Sequence, residues 1–336
     1  MADMVSLPVG EARTLIVRAL ESSNTSRQNA VSVADALIGA ELSGQGGHGL
    51  RRVAAYAAQA NSGKVDGHAE PVCERVRPGA AWIDAGSCFA YPALDLAITE
   101  LADMAPVTGI AIAAIRRSHH SGVMGQFVER LAERGLIGLM MTNSPVAMAP
   151  WGSNKPLFGT NPIAFACPLE GQPPVVIDVS LSKVARGKIM AANQKGEAIP
   201  DDWAFDSEGN PTTDPKAALA GTMAPLGDAK GIALALMVEL LTAGLTGANF
   251  AFEQSSFFDA AGDPPGTGHL LIAIDPSAFG GGHSLERFSQ LAGLIENAEG
   301  ARLPGARRHQ IRSRIEAEGI TADAELVSSI RAIAGA

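Results

Sequence analysis

GQGGHG, residues 44–49, carries glycines at 44, 46 and 49, and so matches the G-x-G-x-x-G dinucleotide fingerprint letter for letter. Glu70 stands about twenty residues on, where that fingerprint places an acidic ribose partner. The fingerprint has physical meaning only when it follows a strand and opens a helix, because its glycines bring the backbone of that turn against a pyrophosphate. Residues 27–43, immediately before it, carry a helical period instead. Val31, Val33, Ala34, Leu37, Ile38 and Leu42 share one face, with Ser26 placed as N-cap. Residues 7–22 repeat the pattern through Leu15, Ile16, Val17, Ala19 and Leu20. The glycines therefore follow a helix. The Rossmann reading falls, and the histidine inside the stretch becomes the residue of interest.

Outward from His48 the chain alternates. Residues 50–63 read as a helix with Val53, Tyr56 and Ala57 periodic, 81–84 as a short strand and 91–104 as a helix. Strands follow at 109–118, 136–143, 162–168 and 174–180, with a helix at 122–135 and the turn LEGQP between the last two strands. Polar residues at 196–216 predict a long surface loop. Beyond it come a helix at 231–246, a strand at 269–275, a helix at 284–299 and a last helical stretch after RLPGARR. The expected fold is α/β, a mixed and largely antiparallel central sheet with helices from both chain ends. Three parts are expected: a helical part with the histidine loop (1–75) packing with the C-terminal part, a mixed-sheet core (76–300), and a basic turn with a helix (301–336).

Composition narrows the function. The 336 residues are 46% hydrophobic and 18% charged, enough for a large core, and the net charge of −9 argues against nucleic-acid binding. Cys73, Cys88 and Cys167 are three and widely spaced, which excludes a disulfide framework or a structural zinc site and suggests a reducing compartment. The first twenty residues lack a basic stretch followed by an apolar run, and the apolar segment 231–248 is short and holds Glu239. A buried helix there, no membrane span and a cytoplasmic protein are expected.

Five stretches can carry chemistry. His48 lies between Gly47 and Gly49, free of bulky neighbours, with Arg51 and Arg52 following. Imidazole suits proton exchange near neutrality, and a guanidinium holds a carboxylate by a two-bond fork. The plain alternative is a loop histidine with two solvated arginines. SHHSGVMG (118–125) sits at a strand-to-helix junction, an anion cradle or a simple capped turn. Its paired histidines lack the acidic partner a metal site needs, so no metal is expected. Residues 142–168, with Trp151 and Phe158 among prolines, glycines and asparagines, make a long inter-strand segment that ends on Thr160 and Asn161. Lys230 precedes an apolar helix and reads as a phosphate contact or a surface lysine. Arg302, Arg307 and Arg308 cluster around a Pro-Gly turn in an acidic chain, a clamp for a nucleotide phosphate or a helix boundary.

In this order HGLRRV, SHHSG, MTNSP…APWG…FGTNPIAFA, IDVSLSKVARGKI, GDAKGIALALMVELL and RLPGARR resemble the type 2 malate/L-lactate dehydrogenase family, over about residues 7–310. That family includes ureidoglycolate and sulfolactate dehydrogenases and the Δ1-piperideine-2-carboxylate/Δ1-pyrroline-2-carboxylate reductases. The resemblance implies a non-Rossmann nicotinamide-binding fold and a homodimer. It makes His48 the proton donor or acceptor, Arg52 the substrate carboxylate's partner and Thr160 a substrate contact. Around the cofactor it places His120, Ser121, Gly122, Val123 and Met124, then Asp178, Val179 and Ser180, then Ala229 and Lys230. Arg302, Leu303, Pro304, Gly305, Ala306, Arg307 and Arg308 complete that set, with NADPH expected and NADH possible. GKVDGHA, ARGKIMAANQKGEAIP, GDAKGIALALM and SSFFDAAGDPPGTGHLLIAIDP look closest to the cyclic-imine reductases, which implies reduction of Δ1-pyrroline-2-carboxylate to L-proline or of its six-membered homologue to L-pipecolate. A 2-hydroxyacid dehydrogenase is the runner-up, and a non-catalytic metabolite-binding protein is the reading from another class. Two residues depart from the family pattern. Many members have Ser before the histidine, where this chain has Gly47, and some imine reductases carry a carboxylate where it has Lys188. The nearest hydroxyl is Ser43, so something else has to orient His48.

Overall fold

The computed structural model describes residues 3–279 and 282–335. In chain order it contains β1 (Met4–Leu7), α1 (Val9–Glu21), α2 (Arg27–Leu42), α3 (Val53–Ser62), β2 (Val72–Arg77), β3 (Ala80–Asp84), α4 (Ala90–Thr108), β4 (Ile110–Ser118), α5 (Gly125–Ala132), β5 (Ile137–Thr142) and β6 (Ile163–Leu169). There follow β7 (Gln172–Val179), α6 (Arg186–Lys195), β8 (Ala204–Phe205), α7 (Pro215–Ala220), β9 (Thr222–Met223), α8 (Ala229–Glu239), β10 (Thr267–Ile274), α9 (Ser284–Glu296), α10 (Ala306–Glu318), β11 (Ile320–Asp323) and α11 (Ala324–Ile333).

The main sheet runs β2-β3-β4-β10-β5-β6-β7. Only β3 and β4 pair in parallel, joined by the α4 crossover that such a pair requires. Every other neighbour is antiparallel. Strand alternation sends residues to two cores. Ala111, Ala113 and Ile115 of β4 and Leu271 and Ala273 of β10 join Leu37, Leu94, Leu101 and Phe127 on one face. Leu270 and Met141 face the other way, onto Phe158, Ile189, Ala235 and Val238. Both chain ends meet through β1 and β11, registered Met4↔Asp323 to Leu7↔Ile320.

Sequence periodicity missed β1, β2 and β11. β2 is almost wholly exposed, and the two terminal strands are four residues each, too short for a period to register along the chain. One expectation is corrected. The apolar segment at 231–248 is not a buried helix: Ile232, Ala235 and Val238 of α8 face the core, while Leu234, Leu236, Met237, Leu240 and Leu245 are exposed. The helix is apolar on both sides, and the rest of the chain covers one of them. No helix among the described residues is long and apolar enough to cross a membrane.

Candidate active site

The glycines of GQGGHG answer to backbone geometry. Gly44 has φ +73° and closes α2, its N–H bonding Glu41 O at 2.8 Å while Gln45 N–H bonds Ala40 O at 2.9 Å. This crossed pair is the Schellman ending, which favours glycine for its left-handed backbone. Gly49 leaves room for the Glu41 carboxylate, which a Cβ at Gly49 would meet at 2.1 Å. Glu41 Oε1 thereby accepts the Leu50 N–H at 2.7 Å. Glycine thus shapes a loop that presents His48, and no phosphate turn is needed to explain it.

His48 is half-buried. Its Nδ1 lies 3.2 Å from His120 Nε2, the rings stacked with centroids 5.1 Å apart. His120 Nδ1 lies 2.7 Å from the Tyr56 hydroxyl, which is 2.9 Å from that of Tyr91. Among the described residues no protein group bonds His48 Nε2, and it is not one of the enclosed orphan atoms. Burial and then the Arg52 charge lower the His48 pKa to about 4, so the imidazole is neutral at physiological pH. Ser43, the nearest hydroxyl in sequence, points away and bonds Gly39 O at 2.7 Å. Among the described residues His120 is the side chain within hydrogen-bond distance of the His48 ring.

Arg52 is tied to the same loop. Its Nε donates to Gly47 O at 3.0 Å, and its guanidinium lies 4.7 Å over the Phe258 ring. Arg51 is exposed and its charge acts on Glu41. Of the two, Arg52 is the one that faces the histidines. Phe257 closes the other side, its ring centroid 5.4 Å from His119 and 5.3 Å from His120. The loop that carries both phenylalanines is held by Lys64, almost fully buried, whose Nζ donates to the carbonyls of Ser256, Asp259 and Ala261 at 2.6, 3.0 and 2.7 Å.

Three further segments converge beside His120. At Gly125, the first residue of α5, a Cβ would meet Arg308 Nη1 at 3.0 Å, Asp178 Cβ at 3.2 Å and Val176 at 3.2 Å. At Gly305 a Cβ would meet Val176 O at 3.0 Å. Ser121, Val123 and Met124 are buried and Gly122 packs against the Tyr91 hydroxyl, so this stretch is wall as much as cradle. The opening N–H of α5 is already used: Gly125 N–H donates to Asp178 Oδ2 at 2.7 Å. Burial raises the Asp178 carboxyl above its ordinary range, against the pull of that N–H and of Arg308. Arg308 itself bonds Glu129 Oε2 at 2.9 Å and the Ser43 hydroxyl at 3.3 Å, and Arg312 joins the same carboxylate at 3.2 Å. Among the described residues Arg308 Nε and Nη1 are buried without a partner. An orphaned guanidinium edge beside two glycines cleared of Cβ fits an anionic group such as a dinucleotide phosphate. Arg302, Pro304, Ala306 and Arg307 are exposed around it, and Leu303 is buried.

Thr160 stands with a second group. Its N–H donates to the Ser144 hydroxyl at 3.0 Å and its carbonyl accepts from Leu181 N–H at 2.9 Å, while Leu226 N–H reaches Leu181 O at 2.8 Å. Those bonds bring Thr160, the Val179–Ser180 end of β7 and the turn before Ala229 and Lys230 together, the last two exposed. Asn161 departs from this rim. It is fully buried with φ +42°, and its Nδ2 bonds Glu239 Oε2 at 2.8 Å. Among the described residues no group of three metal-ligating side chains assembles.

Sequence reading missed Tyr56, Tyr91, Phe257, Phe258 and Lys64. Along the sequence Tyr56 shows only as a periodic face residue. The available signal was scarcity, for the chain has two tyrosines and both are fully buried here.

The malate/L-lactate dehydrogenase family model matches residues 7–331. The chain is 50% identical over 334 residues to a (2R)-3-sulfolactate dehydrogenase (NADP(+)) of Chromohalobacter salexigens, covering 99% of both. It is 40% identical over 322 residues to a Δ1-pyrroline-2-carboxylate/Δ1-piperideine-2-carboxylate reductase of Pseudomonas syringae pv. tomato, covering 96% of this chain and 94% of that one. The crystal structure of the Δ1-piperideine-2-carboxylate reductase from that organism superposes with a TM-score of 0.93 at 38% identity, covering 98% and 99%.

Proposed function

The chain belongs to the malate/L-lactate dehydrogenase family, and from that membership we propose that it catalyses NADP-dependent interconversion of a short 2-oxo acid and its 2-hydroxy acid, in the manner of a sulfolactate dehydrogenase. The observation that carries the reading is a neutral His48, open at Nε2, on the loop whose carbonyl Arg52 grips. A guanidinium fork for the carboxylate beside a proton-exchanging imidazole suits a substrate whose reacting C2 bears an oxygen next to its carboxylate. The relative at 50% identity acts on such an acid. Holding the substrate by Arg52 and Phe258 sets C2 at a fixed distance from His48, and positioning of this kind supplies much of an enzyme's rate. When bound, the nicotinamide cofactor supplies or accepts the hydride.

The cyclic-imine reading, the first expectation from the sequence, becomes the second here and is favoured by relatives at 36–40% identity named as Δ1-pyrroline-2-carboxylate reductases. Against it stands Lys188, where the resemblance puts a carboxylate in some imine reductases; Gly47, in place of the serine that many members of the family carry, does not separate the two readings. Purified protein with NADPH and NADH, offered 3-sulfopyruvate, oxaloacetate, pyruvate, pyrroline-2-carboxylate and piperideine-2-carboxylate, separates the two. Turnover of an oxo acid at least tenfold above either imine supports the reading, and the reverse order replaces it.

The exposed Arg302 and Arg307 beside Arg308 support a preference for NADPH, whose 2′-phosphate they would meet. Arg307→Ala should weaken NADPH more than NADH, and equal loss assigns the cluster to the shared pyrophosphate. The uncovered apolar side of α8 supports a homodimer, with a second copy over Leu234, Met237 and Leu240. Light scattering on wild type and Leu240→Glu tests it. A cytoplasmic location, expected from the sequence, belongs to the same proposal.

A further inference from the structure

Two tyrosines in 336 residues, both fully buried, lie in line behind His48. The path runs Tyr91 hydroxyl to Tyr56 hydroxyl (2.9 Å), Tyr56 hydroxyl to His120 Nδ1 (2.7 Å) and His120 Nε2 to His48 Nδ1 (3.2 Å). We propose that Tyr56, backed by Tyr91, is a positioning residue that acts through His120 to hold His48 in the tautomer with its proton on Nε2, facing the substrate. The proposal rests on reading His48 as the group opposite C2.

Counting donors decides the sense of the chain. Tyr91 has one O–H, and among the described residues its hydroxyl meets only Tyr56. A buried O–H left without an acceptor is costly, whereas an unused lone pair on an already bonded oxygen costs little. Tyr91 therefore donates to Tyr56. Tyr56, having accepted, spends its own O–H on His120 Nδ1. His120 then carries its proton on Nε2 and donates it to His48 Nδ1, which leaves the His48 proton on Nε2. Reversing the chain strands the Tyr91 O–H and is disfavoured about ten- to a hundredfold. Both imidazoles are neutral at pH 7, since burial holds the His120 pKa well below its ordinary value and that of His48 at about 4.

The consequence is a choice of substrate. An outward N–H is a donor, matched to the C2 oxygen of a 2-oxo acid. It is mismatched to a protonated cyclic imine, which presents a second N–H at the same place. A neutral imidazole that polarises a carbonyl is a known catalytic device. His120, expected from the resemblance beside the cofactor, is here the link between the tyrosines and the reacting histidine.

Long-range 1H–15N spectra of histidine-labelled protein without ligands read the tautomer directly. Wild type at pH 7 should show His48 protonated on Nε2. Tyr56→Phe takes away the donor to His120, so His48 should spread over both tautomers, with kcat for oxo-acid reduction down about tenfold and KM for NADPH within twofold. Wild type protonated on Nδ1 overturns the proposal whatever the variant does, and that spectrum needs no folded variant. An unchanged tautomer in a folded Tyr56→Phe overturns it as well. If the tautomers behave as stated but wild type turns over no oxo acid, the hydrogen-bond chain stands and the substrate reading above falls.

Discussion

Lys64→Met should loosen the phenylalanine loop and, through it, the substrate's grip. Lys64 is 2% exposed, and its ammonium donates to three carbonyls of residues 256–261. Methionine fills the same volume and supplies no donor. Charge-assisted bonds contribute about 1.5–3 kcal/mol each, but removing a buried charge also removes its desolvation cost. Asp259 and Ala261 are exposed enough for water to replace part of what their carbonyls lose. A net loss of about 2–4 kcal/mol follows. At roughly 2.1 cal/mol/K of unfolding entropy per residue, 336 residues give about 0.7 kcal/mol/K, so the melting temperature should fall by about 3–6 °C. The loop places Phe258 on Arg52 and Phe257 on His119 and His120. KM for the carboxylate substrate should therefore rise about tenfold while KM for the cofactor holds within twofold. Calorimetry and steady-state kinetics read both. A melting point within 1 °C of wild type together with an unchanged substrate KM refutes the reasoning. Gln59 ties the same loop through Asp259 O at 3.0 Å, so adding Gln59→Leu to Lys64→Met should cost less than the two single losses together.

His48→Ala should cut turnover by about a hundredfold or more, the scale of a lost proton-exchanging group, and leave cofactor affinity near wild type; turnover within a few-fold of wild type takes His48 out of the reaction. Arg52→Lys should raise substrate KM strongly, since an ammonium reproduces neither the fork nor the flat packing on Phe258, with Arg51→Lys near neutral. If Arg51→Lys does the damage, the pair is assigned in reverse. Acid should unfold the protein early. His119 and His269 are fully enclosed, and burial lowers each pKa to about 3 from an unfolded value near 6.5. The unfolded chain therefore binds protons that the native state refuses, and stability is lost as pH falls from 6.5 towards 3, by about 1.4 kcal/mol per pH unit for each histidine. A flat urea midpoint between pH 6.5 and 4.5 contradicts that.

Much of the architecture was readable along the chain, because its helices and central strands bury one face and show the matching period. α2 with its Ser26 cap, α4, β4, β5 and the turn between β6 and β7 all fall where hydrophobic spacing puts them. The helix before Gly44 was enough to remove the Rossmann fingerprint, since a fingerprint is a matter of local order. His48 and Arg52 were legible for the same reason, being four residues apart on one loop. Tertiary structure alone decided what stands behind them. His120, Tyr56 and Tyr91 lie 72, 64 and 35 residues from the groups they bond, and no period links them. They meet because β10, from late in the chain, enters the sheet between β4 and β5, because α4 packs on one face of that sheet, and because α3 is held against α1 and α11 in the same core. Lys64 looked like any lysine, and only burial under residues 256–261 made its charge a fastener. Periodicity encodes which face of an element is buried. Which distant polar groups share that burial is a property of the closed fold, where each must find its partner inside.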